Sequence, residues 1–244
     1  MPVPHFAALL LVLLSTLAAT AQEPSPYSRR NTFSVFTEYS NTSSRILIGA
    51  DQNRRLIAPG FTYARRLHHS RYTDWNYAIE VRPLTLIREP YYRQATTTVD
   101  GSNDWSTPPA QLQRGCVTRT IQYAGVPELG KPAYTVTFEC SSRWSYAGGL
   151  SPLSQRLNFA PSHHLQPFIA ANGGFLVSTH DLPVANSSRF NFTFEFGAGL
   201  ELFRAHHRSI AAEYRLHHLS NAFTGTYNPG VDNQILKLTY SFGN

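Results

Sequence analysis

The sequence contains very little sulfur: among its 244 residues there are two cysteines and one methionine. Two cysteines are too few for a cysteine-based metal centre, which needs more ligands at closer spacing. In an exported chain, the pair Cys116 and Cys140 instead indicates a disulfide bond. The sequence gives no indication of a cofactor.

Long apolar runs are absent beyond the start of the chain. The run Phe6–Leu14, followed by Ala19-Thr20-Ala21, predicts a signal peptide over residues 1–21 and a mature domain over 22–244. The run is too short to cross a membrane as a helix, and no later stretch approaches the ~20 apolar residues that a spanning helix needs. Any insertion of the mature chain into a membrane must therefore be by β-strands.

Charge of one sign is not concentrated anywhere. The net charge of +6 is spread along the chain, with no Lys/Arg tract of the kind that binds nucleic acid. A modest excess of positive charge suits a protein that contacts a membrane surface rich in anionic phosphates.

The chain is dominated by strand-length stretches in which apolar and polar residues alternate. The clearest stretch places Phe190, Phe192, Phe194 and Phe196 on one face and polar residues on the other. The pattern predicts eight strands, at about 32–39, 57–67, 75–83, 134–146, 165–177, 190–202, 210–220 and a last one ending at 242.

Short connections after the second and sixth strands, and longer ones after the first, third, fifth and seventh, are typical of an outer-membrane barrel. Residues 84–139 are predicted to form a long extracellular loop region. We therefore expect a single all-β domain, an eight-stranded antiparallel transmembrane β-barrel with its polar face inward. A lipocalin-like barrel or a sandwich would instead bury the Phe face, but the Glu and Arg residues on the other face favour the membrane barrel.

One strand end carries a chemically suggestive group. Because strand side chains alternate, His218 and Ser220 share a face, and Asp232 near the start of the last strand falls on the corresponding set. A hydroxyl, an imidazole and a carboxylate on one face are the parts of an activated serine nucleophile. A His-x-Ser pair alone is a weak signal, and polar residues often simply mark the interfacial end of a strand.

The segments His218-Leu219-Ser220-Asn221-Ala222 and Asn228-Pro229-Gly230-Val231-Asp232 resemble the signature of outer-membrane lipid A 3-O-deacylases, also called the acyloxyacyl hydrolase family. Ser151-Pro152-Leu153 and the segment 166–174 resemble the same family. The resemblance extends from about Trp144 to the C-terminus, and residues 84–139 match nothing in it.

The resemblance implies a serine hydrolase that removes the 3-O-linked acyl chain from lipid A of lipopolysaccharide in the outer membrane. Ser220 corresponds to the nucleophile, His218 to the general base and Asn221 to a neighbour of the oxyanion site. Asp232 corresponds to the acidic member, which is Glu in some relatives. The Asn-Pro-Gly sequence at 228–230 is also an ordinary turn former.

Two alternatives remain at this stage: an outer-membrane phospholipase, and a structural or binding barrel without catalytic activity. Four His-His pairs, at 68/69, 163/164, 206/207 and 217/218, raise the question of a metal. Adjacent strand residues face opposite ways, so each pair offers one ligand per face, and no metal site is predicted. His217 is expected to point inward with Glu213 and Arg215.

Overall fold

The computed structural model describes residues 26–97, 103–106 and 117–244. The predicted signal peptide and Cys116 lie outside these residues. Cys140 is disulfide-bonded. The described part of the chain contains no candidate for a membrane-spanning helix.

Ten strands make up the described fold, with one short 3-10 turn at Pro127–Leu129. The strands are β1 Asn31–Ser40, β2 Arg55–His69, β3 Thr73–Thr97, β4 Asn103–Ser106, β5 Arg119–Tyr123, β6 Tyr134–Phe159, β7 Leu165–Leu182, β8 Ser188–Ala205, β9 Arg208–Ser220 and β10 Val231–Gly243.

Eight of these strands close into a ring in the order β1, β2, β3, β6, β7, β8, β9 and β10. Pairing of β10 with β1 and of β3 with β6 completes the ring, and every neighbouring pair is antiparallel. Closure gives the ring no free edge, so its backbone groups pair without water. This confirms the predicted eight-stranded antiparallel barrel, and the eight expected strand positions lie within the eight strands of the ring.

The segment expected to be a long loop over 84–139 is largely strand at both ends. β3 continues to Thr97 and β6 begins at Tyr134, although β2 pairs with β3 only to Arg88 and β7 pairs with β6 only to Ala147. Beyond those points β3 and β6 pair with each other and with the short strands β4 and β5. In this four-stranded ribbon Val136 and Phe138 pack with Ile121, and only its β6 part showed the alternation from which a strand was predicted.

The connections define two rims. The turns 70–72, 160–164 and 206–207 lie at one rim, called here the short-turn rim, together with both ends of the described barrel. The other rim, the long-loop rim, carries the loops 41–54 and 221–230 and the ribbon. The predicted long connection after the fifth strand is wrong: β7 and β8 are joined by residues 183–187 only, because both strands extend further than their alternation indicated.

The outer wall is apolar and the lumen is mainly polar. Outward side chains that remain exposed include Phe33, Val35, Phe61, Phe192, Phe194, Phe196, Leu200, Tyr214, Leu236, Leu238 and Phe242. Inward, a buried lumen charge network consists of Glu38, Glu80, Arg82, Glu195, Glu213, Arg215 and Lys237. A face that is apolar outward over eight closed strands is suited to contact with lipid.

Arginines hold the lumen charge network together. Arg82 pairs with Glu38 at 2.8 Å and Glu195 at 2.6 Å, and Arg215 pairs with Glu195 at 2.5 Å and Glu80 at 3.0 Å. Oxygens of Glu38, Glu80 and Glu195 lie within 4.8 Å of one another, a spacing that could also hold a metal ion. These carboxylates are paired with the two guanidinium groups and with the Lys237 ammonium, 2.8 Å from Glu80, so the grouping is an ion-pair network.

Near the long-loop rim the lumen becomes apolar. The alternation in the sequence had predicted a polar interior throughout. A cluster of buried side chains occupies this level: Leu56, Ala58, Ile87, Ala147, Leu176, Leu182, Leu219 and Ile235. Every residue of this cluster is inward-facing. At this level the lumen is therefore filled by side chains, and only the outer wall is accessible from the membrane.

Removing one partner from the lumen network should be strongly destabilising. Arg82→Met leaves buried carboxylates without their cation, and we expect the free energy of unfolding to fall by about 3–5 kcal/mol. Urea unfolding in lipid vesicles measures the change. Arg93→Met is the matched control, because Arg93 pairs with Glu139 in a half-exposed position on the ribbon and should cost about 0–1 kcal/mol. Equal losses in the two variants would contradict a stabilising role for the network.

Candidate active site

Ser220 and His218 lie at the end of β9 on the long-loop rim, where the sequence placed them. The register of β9 alternates strictly: Glu213, Arg215 and His217 are buried inward, whereas His218 and Ser220 face outward and are partly exposed. On β8 the residues opposite Ser220 and His218 are Phe192 and Phe194. The pair therefore stands at the edge of the apolar outer wall.

Asp232 is brought to His218 by strand pairing. The two residues are direct partners in the β9–β10 register, and His218 Nδ1 donates to Asp232 Oδ1 at 2.7 Å. A proton on Nδ1 leaves Nε2 as the acceptor, which is the tautomer that a general base needs. The short Asp232 side chain therefore reaches the imidazole.

The loop 41–54 supplies contacts to Asp232 that sequence reasoning missed. Asp232 Oδ2 accepts hydrogen bonds from the backbone N–H groups of Leu47 at 2.7 Å, Gly49 at 2.8 Å and Ile46 at 3.2 Å. Three N–H donors on one oxygen favour the ionised carboxylate and fix its orientation. Asp232 is 1% exposed, so without these donors it would be a buried charge with only the imidazole as partner.

Glycines make this close approach possible. A Cβ on Gly49 would lie 2.6 Å from the Asp232 backbone nitrogen and 2.8 Å from its Cγ. Gly230 has a φ of +64°, and a Cβ there would lie 2.9 Å from His218 Cε1. Both positions therefore require glycine, Gly230 for its left-handed backbone as well as for space. Gly49 was the available signal in the sequence, but nothing there linked it to Asp232.

Arg54 anchors the same loop across the barrel mouth. Its guanidinium donates to the carbonyl oxygens of Gln52 at 2.7 Å and Pro183 at 2.8 Å, the latter in the β7–β8 connection. Ser43 joins the two ends of the loop, because its hydroxyl donates to the Asp51 carbonyl and accepts from the Arg54 N–H. The loop whose N–H groups donate to Asp232 is thus anchored by buried hydrogen bonds of Arg54 and Ser43.

The Ser220 hydroxyl contacts the loop 221–230. Its Oγ donates to Asn228 Oδ1 at 3.0 Å and accepts from the Ala222 N–H at 3.1 Å. Within the part of the chain that the structure describes, no hydrogen bond joins this hydroxyl to the His218 ring. Catalytic hydrogen bonds are commonly loose without substrate and tighten in the complex, so the shared face remains compatible with proton transfer.

Asn228 is a site residue that the sequence reasoning treated only as part of a turn. Its Oδ1 accepts from both Ser220 Oγ and the Asn221 N–H, which orients the side-chain amide towards the serine hydroxyl. The remaining NH₂ of the same amide group therefore also lies beside Ser220. Such a group can donate to an oxyanion.

Asn221, predicted beside the oxyanion site, has a structural part in the loop. It is fully buried, its Nδ2 donates to the Tyr227 carbonyl at 2.8 Å and its Oδ1 accepts from the Phe223 N–H at 2.9 Å. These bonds hold a turn in which Ala222 and Phe223 both have positive φ. The turn projects the Phe223 side chain outward, where it is 82% exposed.

The remaining histidine pairs lie away from this site. The pairs at 68/69, 163/164 and 206/207 are at the short-turn rim. There His69 Nδ1 contacts both Asp74 and Ser28. A catalytic triad needs the serine at one ring nitrogen and the carboxylate at the other. Here both contact Nδ1, so this second Ser-His-Asp grouping does not have the arrangement of a triad. His217 is buried in the lumen, 3.9 Å from Glu195.

The loop contact to Asp232 can be tested with Gly49→Ala. The added Cβ must push the loop away from the carboxylate, so the amide donors and the orientation of His218 are lost, and we expect kcat/KM for ester hydrolysis to fall by about 10- to 100-fold. Gly148→Ala is the matched control, because its Cβ would meet nothing closer than 3.7 Å. Unchanged hydrolysis by a folded Gly49→Ala protein would show that the loop contact is unimportant.

Solved structures of three other proteins align with most of this chain. The outer membrane enzyme PagL shares 13% identity over 86% of this chain and 99% of that one, with a TM-score of 0.48. Neisserial surface protein A shares 11% identity over 88% and 97% of the two chains, with a TM-score of 0.45. Ail of Yersinia pestis shares 12% identity over 87% and 97%, with a TM-score of 0.35. No curated protein sequence matches the chain.

The family model for lipid A 3-O-deacylase (PagL) matches residues 129–241. This region includes β6 to β10 of the barrel and therefore contains His218, Ser220, Asn228 and Asp232. Over this region the chain is similar to the lipid A 3-O-deacylase family, and the match supports a lipid A deacylase of the outer membrane.

Proposed function

We propose that this protein removes the 3-O-linked acyl chain of lipid A with a Ser220–His218–Asp232 triad on the outer face of its barrel. The observation that carries the proposal is the His218–Asp232 hydrogen bond on the same outward face as Ser220. That face meets the hydrocarbon region of the membrane, so the ester linkages of lipid A can reach the nucleophile from the side.

The first half of the reaction forms an acyl-enzyme. His218 Nε2 takes the proton from Ser220 Oγ as Oγ attacks the ester carbonyl carbon. Asp232, held by three amide donors, stabilises the imidazolium that forms. When the tetrahedral intermediate collapses, the C–O bond to the sugar breaks and His218 returns its proton to the departing sugar oxygen.

The second half regenerates the enzyme. His218 removes a proton from water, the resulting oxygen nucleophile attacks the acyl carbonyl, and Ser220 leaves with the proton held by the imidazolium. The products are the free fatty acid and lipid A with one hydroxyl in place of the ester. No metal or redox group is needed to balance either half.

Asn228 provides the oxyanion donor in this proposal. During attack, the carbonyl oxygen of the ester becomes negatively charged next to Ser220. The Asn228 NH₂ group lies there too, because the Oδ1 of the same amide accepts a hydrogen bond from the resting Ser220 hydroxyl. Attack by Ser220 breaks that resting bond, while the Asn221 N–H still holds Asn228 Oδ1 in place and the neighbouring NH₂ group donates to the oxyanion. This assigns to Asn228 the part that the resemblance had suggested for Asn221.

The orientation in the membrane follows from the substrate. Lipid A lies in the outer leaflet, so the long-loop rim, which carries Ser220, faces outside the cell and the short-turn rim faces the periplasm. The ribbon of β3 to β6 then extends into the extracellular space, in agreement with the expected extracellular location of this region.

Mass spectrometry of the lipid products tests the activity. Purified protein is incubated separately with lipopolysaccharide and with glycerophospholipid. Loss of one ester-linked acyl chain from lipid A alone supports the proposal, loss from glycerophospholipid supports a phospholipase, and no product from either supports a barrel without catalytic activity.

The triad predicts a specific pattern among single variants. Ser220→Ala and His218→Ala should each reduce deacylation to near background, and the double variant should be little worse than either, because neither group acts alone. Asp232→Ala should retain a small residual rate, since the proton acceptor remains. His217→Ala, on the opposite face, should keep most of the activity. An inactive His217→Ala together with an active His218→Ala would overturn the assignment.

Asn228 has its own prediction. Asn228→Ala should lower kcat by about 10²- to 10³-fold with a smaller effect on KM, because an oxyanion donor acts mainly in the transition state. Thr226→Ala is the control in the same loop, at an exposed position, and should behave as the unmodified protein. A kcat for Asn228→Ala within a few fold of the original would exclude the oxyanion role.

A further inference from the structure

The outward face of β10 contains one polar residue in an otherwise apolar series. After Asp232, the outward residues are Gln234, Leu236, Leu238, Tyr240 and Phe242, and all five are exposed. An amide facing hydrocarbon is unfavourable unless it is hydrogen-bonded. Polar groups at such positions often have a functional reason.

The amide oxygen of Gln234 is already hydrogen-bonded within the barrel. Tyr214 Oη donates to Gln234 Oε1 at 2.6 Å, across the β9–β10 pair. The bond fixes the amide oxygen and directs the NH₂ group away from Tyr214. Among the residues that the structure describes, none accepts a hydrogen bond from that NH₂ group.

The position of Gln234 relates it to the triad. It lies two residues along β10 from Asp232, which is about 7 Å, and its strand partner is Leu216, two residues before His218 on β9. Leu216 in turn is paired with Phe196 on β8. An acyl chain whose carbonyl is at Ser220 and which extends into the membrane along β9 passes over His218 and then Leu216, between Phe196 and Gln234.

We infer that the Gln234 amide, oriented by Tyr214, is a specificity determinant that donates a hydrogen bond to an oxygen of the acyl part of the substrate below the scissile ester. The oxygen is a hydroxyl on the chain being removed or the carbonyl of the neighbouring chain that stays on the sugar. A chain carrying no such oxygen leaves the amide without an acceptor, so it is bound less well. The inference rests on the proposed function of Ser220.

Gln234→Leu tests the inference with three substrates: a 3-hydroxyacyl ester, an unsubstituted acyl ester of the same chain length, and intact lipopolysaccharide. One hydrogen bond predicts a loss of about threefold to tenfold in kcat/KM. A loss for the hydroxyacyl ester but not for the unsubstituted ester identifies the leaving chain as the acceptor. A loss for lipopolysaccharide alone identifies the neighbouring chain. Equal kcat/KM values before and after the substitution on all three substrates, or an equal loss on all three, would overturn the inference.

Two further variants separate recognition from barrel stability and from chemistry. Gln155→Leu is the matched control: Gln155 also lies on the outer side and accepts from an aromatic donor, Trp75 Nε1, at 2.6 Å, but on β6. It should leave all three kcat/KM values unchanged. Ser220→Ala tests the proposed function separately. If Ser220→Ala remains active, the triad is wrong, whereas a change in selectivity in Gln234→Leu still reports acyl recognition.

Discussion

The closed ladder of backbone hydrogen bonds is the constraint on which the rest of the protein depends. Hydrocarbon offers no partner for a free N–H or C=O group, so the sheet must return on itself through the β3–β6 and β1–β10 pairings. Closure fixes the strand register, and the register decides the face of every side chain. A shift by one residue would move His218 and Ser220 into the lumen and His217 to the lipid. The geometry of the candidate site is therefore a consequence of the register of the whole barrel.

The lumen must also be filled, and it is filled in two ways. In the middle, Arg82 and Arg215 balance buried carboxylates, while near the long-loop rim Leu56, Leu219 and their neighbours form an apolar layer. Breaking one of these buried ion pairs lowers the free energy of unfolding far more than breaking a surface pair, because the remaining charge stays buried. The rigid interior gives the outer face a fixed support, which matters for a site built on the outside of a wall only one strand thick.

The site combines groups of two kinds. His218 and Asp232 are set by strand pairing, whereas the donors to Asp232 and the contact to Ser220 come from loops. Loops at the end of a rigid barrel can carry chemistry because the barrel holds their ends in place. Arg54 and Ser43 extend that support into the loop 41–54. The left-handed backbone of Ala222 and Phe223 is locally unfavourable, and the hydrogen bonds of Asn221 hold it in place.

The sequence by itself determined the eight strands, the outward Phe face and the shared face of His218 and Ser220, because a period of two is a local property of neighbouring residues. It also located Asp232, through the resemblance of the segment 228–232 to a known family. Only the tertiary structure decided that the backbone of Ile46 to Gly49 binds Asp232, that Asn228 and not Asn221 faces the serine, and that β3 and β6 continue as a ribbon. Backbone donors have no signature in side-chain identity, and contacts between loops far apart in the chain exist only after the barrel has closed.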